Sequence, residues 1–298
     1  MTDAQRGHLA MLIFSALVAG SFSLGVLIAN DIAPAALNAV RFLMAGVLIG
    51  AAAALSGGLQ RRHFAAPWRF VVLGGVFAAY FVLMFYGLQT AAPVSAAAVF
   101  TLTPVLSALF GWLMLRQVTT WRMASALAIG AAGALWVIFR GDFGALIRFE
   151  IGKGEVIYFW GCVAHAFYTP LVRKLNRGEP ALNFTFGTLV AGAVLLFAFG
   201  ARDVAATDWG ALRPIVWIGL IYVAVFASAC TFVLLQFATL RLPSAKVMAY
   251  TYLVPSWVIG WEIASGNGLP PVVTLVGIAL TAVALWLLLK DETRPVIS

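Results

Sequence analysis

Residues 70–115 read FVVLGGVFAAYFVLMFYGLQTAAPVSAAAVFTLTPVLSALFGWLML, and not one of these 46 positions carries a charge. A helix rises 1.5 Å per residue, so a continuous helix of this length would be roughly twice as long as the ~30 Å hydrocarbon core of a bilayer. The chain must therefore turn inside the stretch. Gln89-Thr90-Ala91-Ala92-Pro93 is where it does so, because Pro93 fits the first turn of a new helix, where its missing N–H removes nothing. The reading is a helical hairpin in lipid, with spans over 68–88 and 94–115.

Outward from this hairpin the same grammar repeats. Apolar runs bounded by charge, Pro or Gly lie at 9–29, 35–55, 120–139, 155–173, 181–201, 214–237, 243–264 and 270–289, giving ten spans. Composition agrees: 63% of the 298 residues are hydrophobic and 10% charged, against about 25% charged in soluble domains. A soluble globule could not hide that much apolar surface. The first apolar run is longer than a signal-peptide core and is expected to stay as the first span. The net charge of +8 is spread over short loops rather than gathered with aromatics on one face, which argues against a nucleic-acid partner. It reads instead as a topological signal. With the N-terminus in the cytoplasm, twelve basic residues from Arg6 to Arg294 fall inside and five fall outside (Arg140, Arg148, Lys153, Arg202, Arg213), so both termini are expected in the cytoplasm.

The two halves overlay. Pro34 and Ala45-Gly46 match Pro180 and Ala191-Gly192 at an offset of 146. Phe81-Val82-Leu83 and Pro104 match Phe232-Val233-Leu234 and Pro255 at 151, and Ala134-Leu135-Trp136 matches Ala284-Leu285-Trp286 at 150. Five spans per repeat force the second half to enter from the opposite face. The expectation is an all-α membrane protein of ten transmembrane helices, two inverted five-helix repeats (residues 1–145 and 146–298) around a central cavity, a plan typical of secondary transporters. The small residues Gly130 to Ala134 read first as close helix packing rather than as a substrate site.

The stretch APAALNAVRFLMAGVLI (residues 33–49), with Arg41-Phe42 at its centre, and TAAPVSAAAVFTLTP (residues 90–104), followed by Leu113-Met114-Leu115, resemble the second- and fourth-helix motifs of the drug/metabolite transporter superfamily, in particular its EamA-domain exporters. The resemblance spans both halves and implies ten helices around a central cavity with both termini inside. Within the superfamily the chain most resembles YddG-type aromatic amino-acid exporters. One position departs: where many members carry Glu at the end of the fourth helix this chain has Arg116, and the second half has Asn267 there.

Polar groups inside apolar runs are costly, so each is a candidate for function. His165 sits near the middle of the sixth span, in a helical stripe with Tyr158, Cys162, Tyr168 and Thr169, followed by Pro170, where a bend is expected. The bland alternative is a neutral His bonded to a neighbouring helix. Lys246 and Tyr250 share a face of the ninth span and suit an amphipathic substrate with a carboxylate, unless Lys246 only snorkels to the headgroups. Tyr80 lies at mid-depth in the third span. Trp160, Thr101, Ser228 and Thr231 are second-rank lining candidates. Asn38 and Arg41 share a face of the second span, with Glu262 as a candidate acid for Arg41, the group serving as gate or structural tie unless Arg41 and Glu262 each only snorkel to the headgroups.

No nucleophile–base spacing, paired carboxylate, metal-ligand cluster or phosphate loop of the GxxxxGK[ST] type occurs. No catalytic residue, metal or cofactor is expected, and transport is expected to run on a gradient or by facilitation. The expected partners are a small-molecule substrate, an amino acid with an aromatic or otherwise apolar side chain, and the lipid bilayer of a bacterial inner membrane. Export of organic cations or nucleotide sugars is the rival within transport, and an enzyme acting on lipid-linked substrates the rival outside it. The oligomeric state is left open, a monomer included.

Overall fold

A computed structural model of the chain describes residues 2–56, 59–268 and 270–290, and among these there is no strand. The helices are α1 (Asp3–Ile28), α2 (Pro34–Leu55), α3 (Trp68–Leu88), α4 (Pro93–Phe100), α5 (Thr103–Leu115), α6 (Trp121–Ile138), α7 (Phe143–Ile147), α8 (Lys153–Leu175), α9 (Ala181–Phe199), α10 (Ala201–Ala206), α11 (Pro214–Ala224), α12 (Thr231–Thr239), α13 (Ser244–Ala249), α14 (Val254–Ala264) and α15 (Val272–Lys290). Arg294 of the charge count lies outside the described residues.

Local chemistry sets the helix starts. Thr2 accepts from the Gln5 amide while the Gln5 side chain accepts from the Thr2 amide, a reciprocal cap on α1. Pro34, Pro93 and Pro214 each open a helix. The hairpin expected at residues 89–93 forms there: α3 ends at Leu88 and α4 begins at Pro93.

Eight helical stretches among the described residues are long and apolar enough to cross a membrane. Of the remaining apolar segments, α8 is diluted by its own polar stripe, and the stretch from α13 to α14 is interrupted by a 3-10 turn (Tyr250–Leu253). Three spans expected as continuous helices are broken. The fourth turns at Thr101-Leu102, ahead of Pro104, which removes an N–H from the helical ladder. The ninth breaks at Tyr250–Leu253, ahead of the matching Pro255. The eighth changes to a π-helix over Val225–Cys230. Pro170, by contrast, sits within α8 without ending it.

The packing respects an exchange of the two halves. As α3 packs along α8, α1 packs along α11 and α12; α4 and α5 meet α14 and α13; α2 lies against α9, and α6 against α15. At the α6–α15 crossing, a Cβ added at Gly133 would lie 2.6 Å from the Gly277 carbonyl oxygen, and one at Gly277 would lie 2.6 Å from the Gly133 carbonyl oxygen. The small residues of α6 therefore serve packing, as their composition suggested. The fourth and ninth spans touch at their breaks, Thr103 Oγ1 standing 3.2 Å from Thr251 Oγ1. Large apolar side chains such as Leu43, Val47, Leu113, Val194 and Trp286 cover the outside, where lipid is their solvent.

Candidate functional site

The polar stripe of α8 faces the middle of the bundle. Tyr158, Cys162, His165, Tyr168 and Thr169 are all buried there. Opposite them α3 supplies Phe77, Tyr80 and Phe81, α4 supplies Phe100, and α12 supplies Phe232 and Gln236. The Tyr80 and Tyr158 hydroxyls share a hydrogen bond of 3.3 Å. The His165 ring sits 4.5 Å from Tyr80, 5.2 Å from Phe100 and 5.3 Å from Phe77, centroid to centroid. Phe77 stacks on Tyr168 at 4.2 Å and 8°, and Gln236 Nε2 donates to the Tyr168 hydroxyl at 3.0 Å. The result is a closely packed box of aromatic faces with polar tips, shut off from the surface: Tyr80 and His165 are each 1% exposed. His165 Nδ1 is buried with no hydrogen-bond partner among the described residues. Such an orphan is costly in a low-dielectric interior and calls for an explanation.

Arg41 borders this box. It is wholly buried; Nε donates to Ser228 Oγ at 2.6 Å, Nη2 to the Ala227 carbonyl at 2.8 Å, and Nη1 reaches Asn38 Oδ1 at 3.5 Å. Its guanidinium carbon lies 3.6 Å from the centre of the Phe81 ring. Ala227 and Ser228 belong to the π-helical stretch, whose wider turn departs from the regular i→i−4 pattern where the Ala227 carbonyl serves the arginine. Asn38 Nδ2 in turn donates to the Pro34 carbonyl at 2.8 Å and contacts the Phe81 carbonyl at 3.4 Å.

The EamA-like transporter family matches residues 5–139 and again residues 152–290. The chain belongs to the EamA-like transporter family. It is also similar to the uncharacterized transporter YyaM of Bacillus subtilis (strain 168), at 25% identity over 300 residues, covering 96% of each chain. A protein of known crystal structure shares the fold with a TM-score of 0.72 at 20% identity, over 96% of this chain and 95% of that one. The chain is thus a multi-pass membrane protein of a transporter family, and its polar core lies between the two family repeats.

Not every residue singled out from the sequence gathers in that core of the EamA-like transporter. Tyr80, Tyr158, His165 and Tyr168 do. Thr101 is buried at the α4 break, its hydroxyl donating to the Ala98 carbonyl. Lys246 and Tyr250 are buried at one end of the bundle instead, where the Tyr250 hydroxyl lies 3.1 Å from His8 Nδ1 and Lys246 is near enough to act electrostatically on that ring. Trp160 is corrected: it is 60% exposed on the outer face of α8. Two positions from Tyr158 and from Cys162 means about 200° around the helix, so it cannot share their face. The pairing of Arg41 with Glu262 is also corrected. Glu262 Oε2 accepts from Asn267 at the far end of α14, at 2.8 Å, and Arg41 uses neutral partners.

Sequence reasoning passed over Phe77, Phe81, Phe100, Phe232 and Gln236. The three-residue spacing of Phe77 and Tyr80 and the single amide in α12 were available signals. It also passed over a buried tie at the end of the bundle near the α1 N-terminus: Arg69 donates to Glu179 at 2.6 Å, to the Leu175 carbonyl at 2.6 Å and to the Ala65 carbonyl at 2.8 Å. Burial alone would raise the Glu179 carboxyl, but hydrogen bonds from Arg69 and the Arg177 amide hold it below the usual carboxylate range. At the opposite end, Arg213 pairs with Asp31, and Ser95 donates to Glu155 at 2.7 Å.

Proposed function

We propose that this EamA-like transporter moves an amino acid with an aromatic or other apolar side chain out of a bacterial cell across its inner membrane. In this reading ten spans place both termini in the cytoplasm, and the halves at 1–145 and 146–298 are inverted repeats that rock about the central box. Alternating access then exposes the box first to one side and then to the other. The observation that carries the reading is the orphaned His165 Nδ1, on a ring packed against Phe77, Tyr80 and Phe100, with Tyr158 hydrogen-bonded to Tyr80 beside it. Aromatic faces suit an apolar side chain, while a few fixed polar groups fix its orientation. A cation exporter would call for acids in the box, whereas the charged group bordering it is Arg41. With no nucleotide-binding loop in the sequence, a solute gradient or a coupled ion drives the movement.

The test is uptake into liposomes holding only the purified protein, with labelled phenylalanine, alanine, threonine, an organic cation and a nucleotide sugar. Saturable uptake of the amino acids, phenylalanine first, is the expected outcome. Folded protein that moves none of them faster than empty liposomes refutes the amino-acid reading, and uptake of the cation or the nucleotide sugar would name its replacement.

A further inference from the structure

Arg41 poses an electrostatic problem that its own surroundings do not solve. It is 0% exposed, and among the described residues its partners are all neutral: a hydroxyl, a main-chain carbonyl, a side-chain amide and a phenyl face. A buried guanidinium without a counter-charge is strongly disfavoured, and hydrogen bonds to neutral groups offset only part of that cost. The bonding is also uneven. Nε and Nη2 are held at 2.6 and 2.8 Å by Ser228 and Ala227, while Nη1 has only a contact of 3.5 Å with Asn38, at the limit of a hydrogen bond. The firmly held edge fixes the plane of the group, and the loosely held nitrogen is the one with donors to give.

The guanidinium lies against Phe81, whose ring is 4.5 Å from Tyr80 and 5.0 Å from Phe77. Arg41 is therefore a positive wall of the aromatic box rather than a distant structural charge. At the repeat offset of 146 the matching residue is Gly187, so the box has this cation on one side only.

We propose that Arg41 is the anchor for the substrate's carboxylate: the incoming anion supplies the missing counter-charge through Nη1, while the apolar side chain lies among Phe77, Tyr80, Phe100 and His165. A guanidinium meets a carboxylate in a charge-assisted hydrogen bond, roughly twice as strong as a neutral one. A single anchor on one side orients the substrate and fits one carboxylate better than the several charges of a nucleotide. The amino-acid identity of the ligand rests on the function proposed above; the need for a carboxylate does not.

Two probes separate these claims: 3-phenylpropionate, which has the carboxylate without the amine, and phenethylamine, which has the amine without the carboxylate. With the full-length protein, 3-phenylpropionate is expected to raise the melting temperature and to compete with phenylalanine uptake, and phenethylamine to be weaker by about tenfold or more, the loss expected for one charge-assisted hydrogen bond. In Arg41→Gln the discrimination collapses towards unity; in Arg41→Lys, which keeps the charge without the fork, part of it returns. Wild type that binds both probes equally overturns the proposal. So does folded Arg41→Gln with wild-type discrimination or, should Arg41→Gln fail to fold, Arg41→Lys with unchanged affinity for 3-phenylpropionate. If wild type transports no amino acid but 3-phenylpropionate stabilises it in an Arg41-dependent way, the anchor stands and the amino-acid reading falls.

Discussion

His165 separates two meanings of a buried polar residue. A structural histidine would have both ring nitrogens engaged; here Nδ1 is sealed in without a partner among the described residues. Replacing an unsatisfied buried group with an apolar one of similar size can be neutral or stabilising. His165→Leu is therefore expected to melt at or above the wild-type temperature while phenylalanine uptake falls by about tenfold, the scale of one lost polar contact. A drop in both, in parallel, would mark His165 as structural. Much of this residue-scale picture was legible, because the 158–162–165–169 spacing places four polar groups on one helix face. Arg41 was legible as a cation within an apolar span. Its partners were not, since Ser228 is 187 residues away and the Ala227 carbonyl reaches it from a π-helical turn that no apolar pattern announces.

Helices show the same division. Start points at Pro34, Pro93 and Pro214 were readable from proline's missing N–H. The breaks within the fourth and ninth spans were not read, although Pro104 and Pro255 stand just beyond them: a run of apolar residues gives the same hydropathy whether its helix is whole or broken. Close crossings can be tested one glycine at a time. At Gly133 the obstacle to a side chain is the Gly277 carbonyl, main chain that cannot rotate away. Gly133→Ala is expected to destabilise by about 1–3 kcal/mol, the usual range for overpacking. Nothing lies within 4 Å of a Cβ at Gly260, so Gly260→Ala is its control and is expected to be neutral or stabilising. Melting temperatures of the two purified variants check the pair; equal losses would mean that the α6–α15 crossing is not the tight contact described.

At the scale of the whole molecule, the sealed box is flanked by ties at the two ends of the bundle, Arg69–Glu179 at one and Arg213–Asp31 with Ser95–Glu155 at the other. Arg69 and Glu179 are buried, so Glu179→Gln strands a charge and is expected to cost about 3–5 kcal/mol. Because the folded state holds the Glu179 carboxyl below its ordinary range, this contribution is full above the unfolded value of about 4.3 and is lost as pH falls through the folded value. The gap in melting temperature between wild type and Glu179→Gln should therefore close on acidification; a gap constant with pH would mean that the carboxylate charge does not hold the tie.

The central claim is that solute passes through the box between the repeats, and a native thiol sits inside it. Cys162 is buried beside Tyr158, whereas Cys230 is exposed on the outside of the bundle. In a Cys230→Ala background reconstituted in liposomes, the decisive measurement is alkylation of Cys162 by a membrane-permeant maleimide with and without phenylalanine, followed by uptake. The account predicts slow labelling as the box opens, slower still with phenylalanine present, and loss of uptake in proportion to labelling. Saturable uptake that survives complete alkylation of Cys162 would contradict it, because the solute would then have another path.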